Sequence, residues 1–295
     1  MLPRFDRIAL SVVAVLACLG IALSFSSPGI SADGPEPVPF PFTGVKKETL
    51  ARGQALWKNQ CMQCHAVDGS AETVTAKLLI PQPRDFRKGV TKYKTNQRGH
   101  LSTRSDLLRV IQQGVPTTSM GSFRDLPAKD LHALAAWTEH LLLTALQKRV
   151  DASYQQSGVG PMPSTEFFWN NSQNREVIPD TERIPLSKES VQRGAFLFQG
   201  DKVSCFTCHG KDGSGKGPAS FQKSTGNYLL KDSWGKELRP HDLTEGLFRG
   251  GSAPEDLWRR IHQGIPGTPM PVYHTQLSSD DIWDLVNFIL SLAKS

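Results

Sequence analysis

Cys61-Met62-Gln63-Cys64-His65 is the stretch from which the rest of the chain can be read, and Cys205-Phe206-Thr207-Cys208-His209 repeats it. The pattern C-x-x-C-H reads as covalent haem attachment. Its two thiols, three residues apart, lie on one side of a helical turn, where each can add across a porphyrin vinyl group as a thioether. The histidine that follows is then placed under the iron as its proximal ligand. One such pentad in 295 residues could be chance; two with matching surroundings are hard to explain otherwise. C-x-x-C also occurs in zinc sites and thiol redox centres. Zinc, however, needs four ligands gathered at one place, and a histidine directly after both second cysteines suits haem better. The chain has five cysteines. The pentads use four and Cys18 lies in the N-terminal apolar run, so no disulfide framework is expected in the body.

Outward from the pentads the chain can be laid on itself. Arg52-Gly53-Gln54-Ala55-Leu56-Trp57 precedes the first and Arg193-Gly194-Ala195-Phe196-Leu197-Phe198 the second. Pro83-Arg84-Asp85-Phe86 matches Pro240-His241-Asp242-Leu243. Asp106 to Pro116 matches Asp256 to Pro266, and each copy then reaches a methionine, Met120 in Thr-Ser-Met-Gly and Met270 in Thr-Pro-Met-Pro. Leu107, Leu108 and Ile111 stand at helical spacing with Gly114 as the stop, as do Leu257, Trp258 and Ile261 with Gly264. Ile282, Leu285, Val286, Ile289 and Leu292 form a one-sided stripe in the last helix; Leu131, Leu134, Trp137, Leu141 and Leu142 are its counterpart, and both read as core packing. No strand pattern is present. The expectation is an all-α chain with a duplicated domain, at 46–149 and 185–295, joined by a linker at 150–184 in which Phe167-Phe168-Trp169 is too apolar to hang free.

Ahead of the first domain, residues 33–45 are proline-rich and read as an extended tether. Residues 1–32 begin with Arg4 and Arg7 and continue through 18 uncharged residues at 8–25 to Ile30-Ser31-Ala32. This fits a cleaved signal peptide, is just long enough for a retained membrane anchor, and at Cys18 leaves room for a lipidated cysteine. All three deliver the body across the cytoplasmic membrane, to the periplasmic side in a bacterium, with membrane association through residues 8–25 if the segment is kept. The formal charge of +6 is uneven: residues 33–150 hold 17 Lys and Arg against 10 Asp and Glu, and residues 151–295 hold 15 against 17. Export makes nucleic acid an unexpected partner. A basic half suits steering toward an acidic redox protein, equally an ordinary solvated surface.

Haem iron in electron carriers takes His/Met axial ligation. His65 and His209 supply the proximal side, and Met120 and Met270 are the distal candidates because they alone recur at equivalent places. Met62, between the cysteines, cannot reach the other face. Met162, His241 and His274 are reserve ligands at most. The arginine and lysine run Arg84, Arg87, Lys88, Lys92, Lys94 and Arg98 offers partners for propionate oxygens, or a solvated loop.

The layout of pentad, loop, helix, methionine loop and C-terminal helix resembles a class I c-type cytochrome, twice in tandem. The resemblance implies two small helical domains, each wrapped around a covalent haem c and carrying single electrons between a donor and an acceptor protein. It implies no catalytic residue, and it suggests the cytochrome subunit of a respiratory oxidoreductase complex. A di-haem peroxidase is the alternative, which would need one open distal site. In the family, a glycine with an aromatic four residues later lets the first helix cross the last closely; Gly53/Trp57 and Gly194/Phe198 match. A proline carbonyl holds the proximal histidine N–H there, a role that Gly215-Lys216-Gly217-Pro218 fits and that the first domain lacks, Pro81 being a guess. Cys208 to Asp242 spans 34 residues against 21 from Cys64 to Asp85. The extra 13, with Asn227, Tyr228 and Trp234, are expected to cover one side of the second haem, leaving the first to face the partner through Lys92 and Lys94.

Overall fold

A computed structural model describes residues 35–157, 163–173 and 175–293. The leader calls, Cys18 among them, and Met162 lie outside the described residues. Residues 33–295 form one compact unit. In chain order the helices are α1 (Lys47–Gln60), α2 (Met62–His65), α3 (Val74–Leu78), α4 (Arg104–Gln113), α5 (Ala128–Ser157), α6 (Thr165–Asn170), α7 (Lys188–Gln199), α8 (Phe206–His209), α9 (Pro254–Gln263) and α10 (Ser279–Leu292). No described helix is long and apolar enough to cross a membrane.

Each half is built on a pair of crossed helices, α1 on α5 and α7 on α10. The crossings are close because each first helix carries a glycine at the contact. A Cβ on Gly53 would sit 2.2 Å from the Ala133 carbonyl oxygen, and one on Gly194 would sit 2.0 Å from that of Asp284. No larger residue fits there without parting the helices. The aromatic one turn on is buried in both copies, Trp57 and Phe198. Ion pairs repeat beside the crossings: Arg52 with Asp130, and Arg193 with Asp284 at 2.6 Å.

The helix stripes bury as their spacing implies. Leu131, Leu134, Trp137, Leu141 and Leu142 share a core with Leu50, Trp57, Leu107 and Ile111. Ile282, Leu285, Val286 and Ile289 share another with Phe198, Leu257, Trp258 and Ile261. Both α4 and α10 start with reciprocal capping boxes, Thr103 with Asp106 and Ser278 with Asp281, which satisfy two otherwise orphaned N–H groups each. Pro254 opens α9 at a position where its missing N–H costs nothing.

One feature departs from the sequence expectation. The extra loop of the second half contains short antiparallel pairs, Phe221–Gln222 (β1) with Asn227–Tyr228 (β2) and Leu230–Lys231 (β3) with Glu237–Leu238 (β4). Two residues are too few to show a period in sequence. The segment between the halves packs as its apolar cluster implies: Trp169 lies 5.6 Å from Phe42 and donates to Glu139 at 3.2 Å, while Val177 donates to the Thr95 carbonyl and joins the second core.

Candidate functional site

Each half holds an apolar cleft at the same place. The first, with about 1350 Å³ of atom-free space counting its open mouth, is walled by Cys61, Cys64, His65, Phe86, Leu107, Ile111, Met120 and Phe123 among others. The second, about 1480 Å³, is walled by Cys205, Cys208, His209, Leu243, Leu257, Ile261, Met270 and Tyr273. All eight sequence-predicted site residues therefore line a cleft, four in each. The two cysteine pairs stand in separate clefts and share no site, as a common zinc centre would require.

The pentads lie on the four-residue helices α2 and α8; α2 begins one residue after α1, and α8 follows α7 after residues 200–205. Burial pushes the Cys61 and Cys205 thiols up to about 12. These are neutral thiols in an apolar wall, the reverse of the low-pKa setting of a redox-active thiolate. Burial also holds His65 down at about 4 and depresses His209, so both imidazoles are neutral and able to ligate a metal.

The support behind the histidines corrects the family-based expectation. Nδ1 of His209 lies 3.3 Å from the His241 carbonyl oxygen, not from Pro218. Arg84, which occupies the same place in the first copy, turns its carbonyl toward the buried Nδ1 of His65, short of full hydrogen-bond geometry. The carbonyl that follows the proline of Pro83-Arg84-Asp85 and of Pro240-His241-Asp242 thus stands behind each histidine, with a hydrogen bond in the second half. An N–H held this way leaves Nε2 for a metal and fixes the ring. The Gly215–Pro218 segment instead satisfies the free carbonyls of α8: Gly215 donates to His209 at 2.8 Å and Gly217 to Cys208 at 3.1 Å. In the first half Ala71 donates to the His65 carbonyl at 3.0 Å.

The methionine loops are superimposable in their bonding. Gly114 and Gly264, at φ +70 and +63, end α4 and α9 where a Cβ would strike the loop backbone. Val115 donates to the Met120 carbonyl at 2.9 Å, and Ile265 to that of Met270 at 3.4 Å. Thr118 and Thr268, which sequence reasoning passed over, each accept from the methionine N–H at 3.2 Å and donate to the residue after the glycine at 2.7 and 2.8 Å. The T-x-M spacing common to both copies was the signal available. Of the reserve ligands, His241 lines the second cleft and His274 stacks on His262 outside its lining.

Lys92 and Tyr93 line both clefts. Lys94 is tied back to the carbonyls of Gln97 and His100, and burial lowers it to about 8. Counted from the matching N-caps Asp85 and Asp242, Tyr93 and Gly250 are equivalent positions. The Tyr93 ring lies where a Cβ on Gly250 would stand, at 2.5 Å. Arg109 of α4 reaches Asp256 of α9 at 2.7 Å. Arg84, Arg249 and Arg260 surround this junction, and Arg260 donates to the carbonyls of Arg249 and Gly251.

Paired thiols, a neutral histidine and a methionine on one apolar cleft are a fitting donor set for a covalent haem. Comparison with known families agrees. The model "Cytochrome c" matches residues 191–293, and "Cytochrome C oxidase, cbb3-type, subunit III" matches residues 48–137. The chain is a tandem c-type cytochrome. Its solved relatives include a chain of the Kuenenia stuttgartiensis reducing HAO-like protein complex, 26% identical with a TM-score of 0.66, over 82% of this chain and 96% of that one. No curated protein matches it significantly. Membership of this family carries covalently bound haem c and electron transfer with it. The chemistry of the group is the cofactor's; the protein's part is attachment and an apolar cleft.

Proposed function

We propose that the cytochrome carries two haem c groups, one per cleft, and passes single electrons between a donor and an acceptor protein without catalysis of its own. Cys61 and Cys64 would hold the first group and Cys205 and Cys208 the second. His65 with Met120, and His209 with Met270, would be the axial pairs. The observation that carries this reading is the shared bonding pattern of the two methionine loops, each placing its methionine in the wall of the same cleft as a pentad histidine. A carrier gains from such a filled coordination sphere, since an electron can enter and leave with little rearrangement, whereas a peroxidase needs an exchangeable position. Methionine also raises the reduction potential.

The redox-complex setting of the Kuenenia stuttgartiensis chain supports a role as the cytochrome subunit of a larger oxidoreductase. Residues 8–25 and the place where covalent haem is attached in bacteria support a periplasm-facing body, either released by cleavage after Ala32 or tethered. The deciding experiment is peroxide turnover by the fully loaded and by the half-reduced protein. Slow or no turnover with rapid electron exchange to an external redox protein is expected; sustained peroxidase activity would overturn the carrier reading.

A further inference from the structure

The methionine loops are held from both sides of the junction. Arg98, on the N-terminal half, brings Nη1 to 3.4 Å from the Met270 carbonyl oxygen and 3.5 Å from that of Gln263, and its backbone N–H donates to Gln263 Oε1 at 3.0 Å. Arg249, on the C-terminal half, donates from Nε to Thr117 Oγ1 at 2.9 Å and from Nη2 to the Thr117 carbonyl at 3.4 Å. Thr117 stands three residues before Met120, where the other loop has Gly267 before Met270. Toward that glycine the N-terminal half sends a second cation: Arg84 Nη1 is 3.3 Å from where a Gly267 Cβ would be. The Arg84 guanidinium lies 3.7 Å over Trp234, whose ring fills the space beside Gly267, and Ser233 N–H bonds the Gly267 carbonyl at 3.0 Å.

We propose that the two domains position each other's distal ligands. Arg98 of the first holds the Met270 loop, and Arg249 of the second holds the Met120 loop. The proposal rests on Met120 and Met270 being iron ligands. A loop that aims a thioether must keep its aim while the iron changes charge. Guanidinium groups on loop carbonyls and a hydroxyl, supplied from the facing domain, add that restraint. The arrangement is also lopsided in a useful way. The internal bond to the Met270 carbonyl is the longer of the two, 3.4 Å against 2.9 Å for Met120, and the Met270 carbonyl is the one that receives an arginine directly. The second site therefore leans more on its neighbour. A disturbance in one domain is felt at the iron of the other, and such coupling is reciprocal.

Arg98 lines neither cleft, which makes Arg98→Ala a clean probe in the full-length holoprotein. Imidazole competes with methionine for ferric iron, and titration followed by the methionine-methyl resonances reports each haem separately. Arg98→Ala is expected to tighten imidazole binding at the Cys205–His209 haem by about three- to fivefold, the worth of one net hydrogen bond, and to leave the Cys61–His65 haem unchanged. Arg249→Ala, read at the Cys61–His65 haem, is expected to tighten binding there. Arg98→Ala moving neither haem, or moving only the haem of its own half, would overturn the proposal. Met270→Ala serves as the reference: if it leaves the spectrum as it is, the ligand assignment itself has failed, an outcome distinct from a silent arginine.

Discussion

The two halves of the chain agree in what holds a cofactor and differ in what lies between them. The crossed helices, the pentads, the carbonyl behind each histidine and the threonine-braced methionine loops recur at matching places. The differences gather at the junction: Tyr93 against Gly250, Thr117 against Gly267, and a 13-residue insertion that exists only in the second half. That insertion walls its own cleft through Leu230 and Leu238 and also sends Trp234 onto Arg84 of the first half. A duplicated binding unit keeps its ligand chemistry under one set of constraints, and its copies diverge where they must recognise each other.

The comparison can be broken at several points. Met120→Ala and Met270→Ala should each convert one haem, and one only, from low-spin to high-spin, visible by magnetic circular dichroism; a variant that stays fully low-spin shows another ligand at that iron. Next in size, Gly53→Ala and Gly194→Ala put a methyl group inside the closest backbone approach of each half. Overpacking of this kind costs about 2–3 kcal/mol, and guanidinium denaturation should show both, equal within error. A loss at only one glycine would mean that one crossing relaxes freely.

A smaller contrast concerns the residue after each pentad. Ala66 stands at φ +60, ψ 169, where the second half has Gly210 at φ +75. Such a backbone is nearly glycine-only and costs another residue about 1 kcal/mol or more. Ala66→Gly should therefore stabilise the first half by about that amount, and Gly210→Ala should destabilise the second. The smallest effect is one of pH. Burial lowers Lys94 to about 8 from its ordinary 10.5, so between those values the unfolded chain binds more protons than the folded one, and stability gains from this group as pH rises through the window. Lys94→Met should remove that increment from the wild-type pH profile; identical slopes for the two proteins between pH 8 and 10 would contradict the burial of Lys94.

Much of this was legible in sequence. The pentads, Met120 and Met270, and the glycine–aromatic pairs Gly53/Trp57 and Gly194/Phe198 are side-chain requirements, and a duplicated chain prints each of them twice. The carbonyl behind His65 and His209 was not legible, because a backbone oxygen leaves no mark on residue identity; only the repeated proline and aspartate around it hinted at a shared conformation. Lys92 and Lys94 show another limit of sequence. Charge alone does not say what a lysine meets, and here Lys92 lines both clefts while Lys94 is tied to the carbonyls of Gln97 and His100. Trp234 acts across the junction from an insertion without a counterpart, so no repeat could flag it.

The account stands on two haems, each with histidine and methionine, in one electron carrier. Reductive titration of the purified holoprotein, followed by magnetic circular dichroism, tests this most directly. It predicts uptake of two electrons per chain with both irons low-spin and the methionine-to-iron charge-transfer band present in the oxidised state at a strength of two per chain. Uptake of one electron, or a high-spin iron in the oxidised protein, would contradict it.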